Sequence, residues 1–307
     1  MSQFKYYIVD VFANQRYEGN QLAVFIDLDN QLSDHQMQQM AREINFAEST
    51  FVKSRKGNSR FDVRIFTPEH EVPFAGHPTI GTTYIAAKFL IQHPIAQITL
   101  AFPSVEIPVQ VLEPDNIDHS ILMMQQAQPD FRETFTHQEI ANELGIPLED
   151  LDVSKVIQEI STGLPYIIIP LNSLKAMENL SLTYDKFRSF LEKRFKYRTN
   201  SSTGHSTSLF FFTDQTYGTA PQYNTRMLLL ENGRLSEDAA TGSANGCFLA
   251  YLLKHEVENI KAIVEQGFQM GRKSYIYLEG QHHSKGFDIK VGGHTKLISE
   301  GVWYTAK

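Results

Sequence analysis

The chain has 307 residues, 42% of them hydrophobic and 21% charged, a make-up that fits a folded protein with a large core and excludes a disordered or fibrous one. Its 28 Lys and Arg stand against 35 Asp and Glu, a net charge of −7 that disfavours the clustered positive surface a polyanion grip needs and points away from nucleic acid. The one cysteine, Cys247, cannot close an internal disulfide, no stretch approaches the ~20 apolar residues of a membrane span, and Lys5 and Asp10 interrupt the first apolar residues, so a cytoplasmic protein with no membrane partner is expected.

Taken in order, residues 6–12 and 22–26 read as short buried strands, with Glu18-Gly19-Asn20 turning the chain into the second. Ser33 with Gln36 three residues on forms a capping box, and Met37, Met40, Ala41 and Ile44 recur at helical spacing, which predicts a helix with one core-facing stripe. Strands are expected at 50–53 and 61–66, after which Gly76-His77-Pro78-Thr79 opens a second helix with Ile80, Tyr84 and Ala87 on one face. Residues 112–118, Leu-Glu-Pro-Asp-Asn-Ile-Asp, carry the turn residues and charges of a domain boundary. Beyond it Thr136 and Glu139 make another capping box, Gly145 stops that helix, and a basic, aromatic helix is expected over 183–194.

Three features recur in the same order. Gly19-Asn20-Gln21-Leu22-Ala23-Val24-Phe25-Ile26 resembles Gly163-Leu164-Pro165-Tyr166-Ile167-Ile168-Ile169-Pro170, Val63-Arg64-Ile65-Phe66 resembles Thr225-Arg226-Met227-Leu228, and 71–76 resembles 237–242. The offset grows from 144 to 166 residues, an increase that the helix over 183–194 absorbs. Two α+β halves of similar build follow from this reading.

Several residues could carry chemistry. The segments 76–81 and 242–246 place glycine and small side chains at helix starts, where free N–H groups and the helix dipole favour a carboxylate or phosphate. Thr82 stands where a phosphate-loop lysine belongs and no G-x-G-x-x-G follows a strand, so neither ATP nor a nicotinamide cofactor is expected. Glu48 sits just past a helix end at the mouth of a strand, flanked by Phe46 and Phe51, where desolvation could raise its pKa; a solvated loop carboxylate is the plain alternative. His77 at its helix start and Asp238 before Gly242 could equally be packing and capping groups. His70 and His77 lack a further ligand pattern, His282 and His283 lie in a turn, Ser243 lacks a nucleophile elbow, and Cys247 has no neighbouring base, so no metal and no covalent nucleophile is assigned.

The segments Gly19 to Val24, Ala41-Arg42-Glu43-Ile44-Asn45-Phe46-Ala47-Glu48-Ser49-Thr50-Phe51, Arg64-Ile65-Phe66-Thr67-Pro68, Phe74-Ala75-Gly76-His77-Pro78-Thr79 and Glu237-Asp238-Ala239-Ala240-Thr241-Gly242-Ser243-Ala244-Asn245 together resemble the phenazine-biosynthesis PhzF-like isomerase family, and Gln266-Gly267 with Met270-Gly271-Arg272 and Ser274 resembles a further family segment. Gln21 and Ala239 stand where many relatives have proline. The resemblance implies an α+β, diaminopimelate-epimerase-like fold of two pseudo-symmetric halves, each a curled, barrel-like sheet around a central helix, with the active site in the cleft between them. It implies a first domain of 1–115 joined by a C-terminal strand at 296–307, a second domain of 116–295, and a homodimer.

By motif position the resemblance makes Glu48 the general acid/base, with His77 and Asp238 beside it and Asn20, Gly76, Gly242 and Ser243 as substrate contacts. The epimerases of this fold use one cysteine per half, whereas His77 and Ser243 occupy the corresponding places here, which excludes a two-thiol mechanism. The expected function is an isomerase without cofactor that moves a proton between carbons of a small carboxylate substrate. A non-catalytic small-molecule-binding protein on the same fold, or an epimerase or hydro-lyase, is the alternative.

Overall fold

The computed structural model describes residues 2–73, 75–198, 206–231 and 233–305; Phe74 of the Phe74-Ala75-Gly76-His77-Pro78-Thr79 motif lies outside them. Two compact units emerge, Met1–Gln125 with Gly292–Lys307, and Gln126–Val291. In the first, β1 (Ser2–Val11) pairs antiparallel with β2 (Asn20–Ile26). The chain crosses through α1 (Asp34–Ile44) to β3 (Glu48–Lys56), which lies parallel to β2 with Glu48 opposite Leu22. β4 (Arg60–Phe66) returns antiparallel to β3, and the short β5 (Glu71–Val72) folds back on β4. Then α2 (Gly76–Ile85), extended by a π-helical turn at Ala86–Leu90, leads to β6 (Gln97–Ala101), parallel to β4, and on to antiparallel β7 (Glu106–Val111) and β8 (Leu122–Gln125).

The second unit runs β9 (Asp130–Phe135), α3 (His137–Leu144), β10 (Ile157–Ser161), β11 (Pro165–Pro170), α4 (Leu174–Asn179), α5 (Tyr184–Lys193), β12 (Ser208–Thr213), β13 (Tyr223–Glu231), β14 (Arg234–Asp238), α6 (Gly242–His255), β15 (Asn259–Gln266), β16 (Ser274–His283) and β17 (Gly286–Gly293). The last strand, β18 (Thr295–Thr305), pairs antiparallel with β1 in the first unit.

The internal repeat is visible in the pairings. From β1 to β7 the successive partners are antiparallel (β1–β2), parallel (β2–β3), antiparallel (β3–β4, β4–β5), parallel (β4–β6) and antiparallel (β6–β7). β10 to β16 repeat that order strand for strand. Even an ion pair is doubled. Arg64 grips Glu71 through two N–H···O bonds of 2.7 and 2.6 Å, and Arg226 grips Glu237 through bonds of 3.0 and 2.7 Å. In both, the glutamate faces the residue two beyond the arginine, Phe66 or Leu228. This fork-on-fork geometry fixes orientation as well as supplying charge, and it locks each short strand that feeds a buried helix.

Those helices are the centres of their units. All ten residues of α2 are buried, and it packs against β1, β2, β3, β6, β7, β8 and β18. In place of the single buried face expected from Ile80 and Tyr84 the helix is buried all round, and the α+β reading with a curled sheet about a central helix holds. α6 packs likewise against β10, β11 and β16. Outside the sheet, α1 lays Met37, Met40 and Ala41 on Phe25, Phe51 and Phe66, where Phe25 and Phe51 stack with centroids 5.0 Å apart. In the second unit α3, α4 and α5 cover a cluster that includes Ile167, Ile169 and Phe211.

The units change over at Gln125, not at the turn read over 112–118. That turn is a 3-10 segment at Pro114–Asn116, after which β8 returns to pair with β7 and keeps the chain in the first unit. At the other end the changeover falls at Gly292 instead of 296. Among the described residues no helix is long and apolar enough to cross a membrane.

The Ser33 box is complete: its Oγ accepts from Gln36 N at 3.3 Å and its N–H donates to Gln36 Oε1 at 3.0 Å. Ser33→Ala should lower stability by about 1 kcal/mol, read as a leftward shift of urea unfolding in the fluorescence of Trp303, which packs on the α1 cluster.

Candidate active site

In the first unit three element starts converge. β2 begins at Asn20 because Gly19, at φ 69°, turns the chain so tightly that a Cβ there would stand 2.2 Å from the Val11 carbonyl oxygen. α1 stops at Asn45, whose left-handed φ of 55° suits asparagine better than most residues, and its N–H caps Ala41 O. Three residues later β3 opens on Glu48. α2 opens on Gly76, with His77 next.

The side chains meet accordingly. Asn20 Nδ2 lies 3.3 Å from His77 Nδ1, and His77 Nε2 lies 3.4 Å from Glu48 Oε2. With Nδ1 accepting from the Asn20 amide, Nε2 carries the ring hydrogen, and among the described residues it meets no hydrogen-bond partner although the Glu48 carboxyl group is near. His77 is buried, whereas the Glu48 side chain keeps 22% of its surface exposed. Burial pushes the His77 imidazole down to about 3, the backbone of Gln21 opposing weakly, so the ring is neutral at physiological pH. Its NMR ring-proton shift should therefore stay flat from pH 5 to 8. The unfolded chain binds that proton near 6.5, so the folded state loses stability as pH falls below that value.

In the second unit β14 ends at Asp238 and α6 begins at Gly242. Thr241 Oγ1 donates to Asp238 Oδ2 at 2.5 Å. Gln266, fully buried, ties the segment together: Oε1 accepts from Thr241 N at 3.3 Å and Asn245 Nδ2 at 2.9 Å, and Nε2 donates to Asp238 O and to Thr241 Oγ1, both at 3.0 Å. Gly267 follows at φ 74°, where a Cβ would stand 2.5 Å from Ala239 O, so glycine is what lets this turn press against the Asp238 segment. Ser243 Oγ lies 2.7 Å from Tyr166 Oη.

The structure thus brings Glu48, His77 and Asn20 together at the α2 start beside Gly76, and places Asp238, Gly242 and Ser243 at the equivalent start of α6. α1, α3, α4 and α5 carry Ser or Thr side-chain caps, whereas the N-cap residues of α2 and α6, Ala75 and Thr241, supply none. Neither central helix therefore has its first N–H groups taken by its own N-cap side chain. Cys247, in contrast, is buried against Thr162 and the Leu164 carbonyl, and burial pushes its thiol up to about 12, which makes it inert. Among the described residues no group of three or more His, Cys, Asp or Glu is arranged to hold a metal ion. Sequence reading gave no role to Gln266 beyond a family segment and none to Tyr166; a lone phenol in an otherwise aliphatic strand was the available signal.

A family model described as phenazine biosynthesis-like protein, PhzC-PhzF, matches residues 9–301. The chain belongs to this family. Among its PhzF relatives, the trans-2,3-dihydro-3-hydroxyanthranilate isomerase of Pseudomonas fluorescens is 31% identical over 97% of this chain and 98% of that protein. A PhzF family protein of Bacillus anthracis superposes with a TM-score of 0.86 at 24% identity, covering 99% of this chain and 100% of the other. A hydroxyproline epimerase of Agrobacterium vitis superposes at 0.58 with 11% identity, covering 98% and 92%, a likeness of fold alone. The chain is a PhzF-type isomerase with the epimerase-like α+β fold.

Proposed function

We propose that this isomerase moves a proton between two carbons of a small unsaturated carboxylate, with Glu48 as the single acid/base. The carboxylate form of Glu48 takes a proton from an activated carbon, the double bond shifts, and the resulting carboxylic acid returns the proton to another carbon of the same molecule, leaving the enzyme unchanged. The observation that carries this reading is the half-buried Glu48 carboxylate set 3.4 Å from a buried, neutral His77. A neutral imidazole can donate a hydrogen bond to developing negative charge without itself giving up a proton. Asp238, held by Thr241, would serve as the second polar group, and Asn20 would orient His77. The substrate carboxylate would rest on N–H groups after Gly76 or Gly242, with Ser243 beside the latter.

The name of the P. fluorescens relative makes trans-2,3-dihydro-3-hydroxyanthranilate the first compound to try. In deuterated water, turnover should place up to one solvent deuterium on carbon, to the extent that the Glu48 carboxylic acid exchanges its proton before giving it back, with conversion and label both read by mass spectrometry. Tight binding with neither conversion nor exchange, here or with related cyclic carboxylates, would support the non-catalytic binding protein instead. A homodimer is the expected assembly, checked by sedimentation.

A further inference from the structure

We infer that Tyr166 is a positioning residue for substrate binding: its hydroxyl donates to Ser243 Oγ and so leaves the Ser243 hydrogen free to meet a substrate carboxylate at the start of α6. The inference rests on the carboxylate reading above. Tyr166 lies on β11 with β10 antiparallel on one side and β12 parallel on the other, opposite Ile160 and Ser208, so its backbone cannot shift. Its neighbours along the strand, Ile167, Ile168 and Ile169, are wholly buried, and Tyr166 itself is 4% exposed. The phenol is the one polar function on that stretch, and it ends 2.7 Å from Ser243 Oγ, the usual length of an O–H···O bond.

Direction follows from chemistry. A phenol is a far stronger acid than an aliphatic alcohol, so Tyr166 is the better donor and Ser243 the better acceptor. Once Ser243 Oγ accepts, its own hydrogen is free, and acceptance strengthens it as a donor. Ser243 is half-buried, the second residue of α6, next to first-turn N–H groups that the N-cap Thr241 side chain does not cap.

The first unit repeats the plan with different residues. His77, second residue of α2, is held by Asn20 from β2, the counterpart of β11. Tyr166 corresponds to Leu22 in the repeat and Leu164 to Asn20, two positions apart and therefore on one face of the strand. Position 22 does face the central helix, since a Cβ on Gly81 would meet Leu22 Cδ2 at 2.6 Å. A longer side chain, set two residues further along, does in one unit what a shorter one does in the other.

The test is calorimetric binding of trans-2,3-dihydro-3-hydroxyanthranilate to the full chain carrying Glu48→Gln, so that no turnover intervenes. Tyr166→Phe, which keeps the ring and the packing, should raise Kd about 5–10-fold. Ser243→Ala should raise it by a similar factor, and the double variant no further than the larger single effect, because both act through one hydrogen. With Glu48 intact, Tyr166→Phe should raise KM with kcat within twofold. A Tyr166→Phe Kd within twofold of its parent, or single effects that multiply in the double variant, overturns the inference while leaving the carboxylate reading intact. Failure of the parent to bind overturns that reading, and this inference with it.

Discussion

If Glu48 is the acid/base proposed above, Glu48→Gln should lower kcat by about 10²–10⁴-fold, the usual contribution of a positioned general base, and should leave the fold in place. The amide is nearly isosteric with the carboxylate and Glu48 keeps 22% of its side chain exposed, so the change strands no charge and costs little stability. What is lost is the ability to take a proton and give it back. Incorporation of solvent deuterium should therefore fall by the same factor as turnover, since one group serves both steps. Circular dichroism that matches the parent, combined with full turnover, would remove Glu48 from the mechanism. Glu48→Asp is the companion test. It keeps the acid but draws it back by one methylene, and because a misplacement of about 1 Å can cost on the order of 10²-fold, activity should return only in part. The pH profile separates the partners further: His77 stays neutral down to about pH 3, so no limb of kcat/KM between pH 5 and 8 belongs to the imidazole.

Sequence periodicity carried much of this architecture because the relevant forces are local. The Ser33 and Thr136 boxes, the Gly145 stop at φ 75° and the stripe of Met37, Met40 and Ala41 each follow from hydrogen bonds or packing within a few residues. The repeat was legible because its strongest marks, Arg64 with Glu71 and Arg226 with Glu237, sit seven and eleven residues apart and pair across one hairpin. The domain boundary was not. Whether β8 stays with β7 or leaves with the next strand is decided by pairing across the turn, and Pro114-Asp115-Asn116 looks the same in either case. The buried surround of α2 was hidden for a related reason: Thr79, Thr82 and Thr83 read as a polar face until their hydroxyls are paired, Thr79 with Ala75 O, Thr83 with Thr79 O and Thr82 with Thr50. At the site, the motif spacing placed Glu48 and His77 in order along the chain, but the parallel register of Leu22 with Glu48 is what sets the starts of β2 and β3 side by side and so brings Glu48 near Asn20, which holds His77. The carboxyl group is also less enclosed than Phe46 and Phe51 suggested, because Phe51 turns into the α1 cluster.

Gln266→Leu should destabilise the protein by about 3 kcal/mol, more than any other single polar replacement considered above. Leucine fills a similar volume, so packing is largely kept and the loss is one of hydrogen bonds. Four are removed together, and they are not spare. Thr241 N and the Asp238 carbonyl lose the partners they have in the Gln266 amide, while Asn245 Nδ2 keeps only Thr241 O at 3.0 Å. An amide left unpaired in a buried setting costs about 1–3 kcal/mol, more than the net gain from making the bond. Urea unfolding followed by circular dichroism reads the shift, and a change under about 0.5 kcal/mol would mean the network is decoration and not a brace. Gln266→Glu sharpens the test, since it keeps the acceptor for Thr241 N and Asn245 while losing both donors and adding a charge near Asp238. If the site depends on the brace, kcat/KM should fall in both variants, because Asp238 and the first turn of α6 hang on the same amide. Activity held at the parent level in a destabilised Gln266→Leu protein would instead separate the brace from the chemistry and remove Asp238 from the catalytic arrangement.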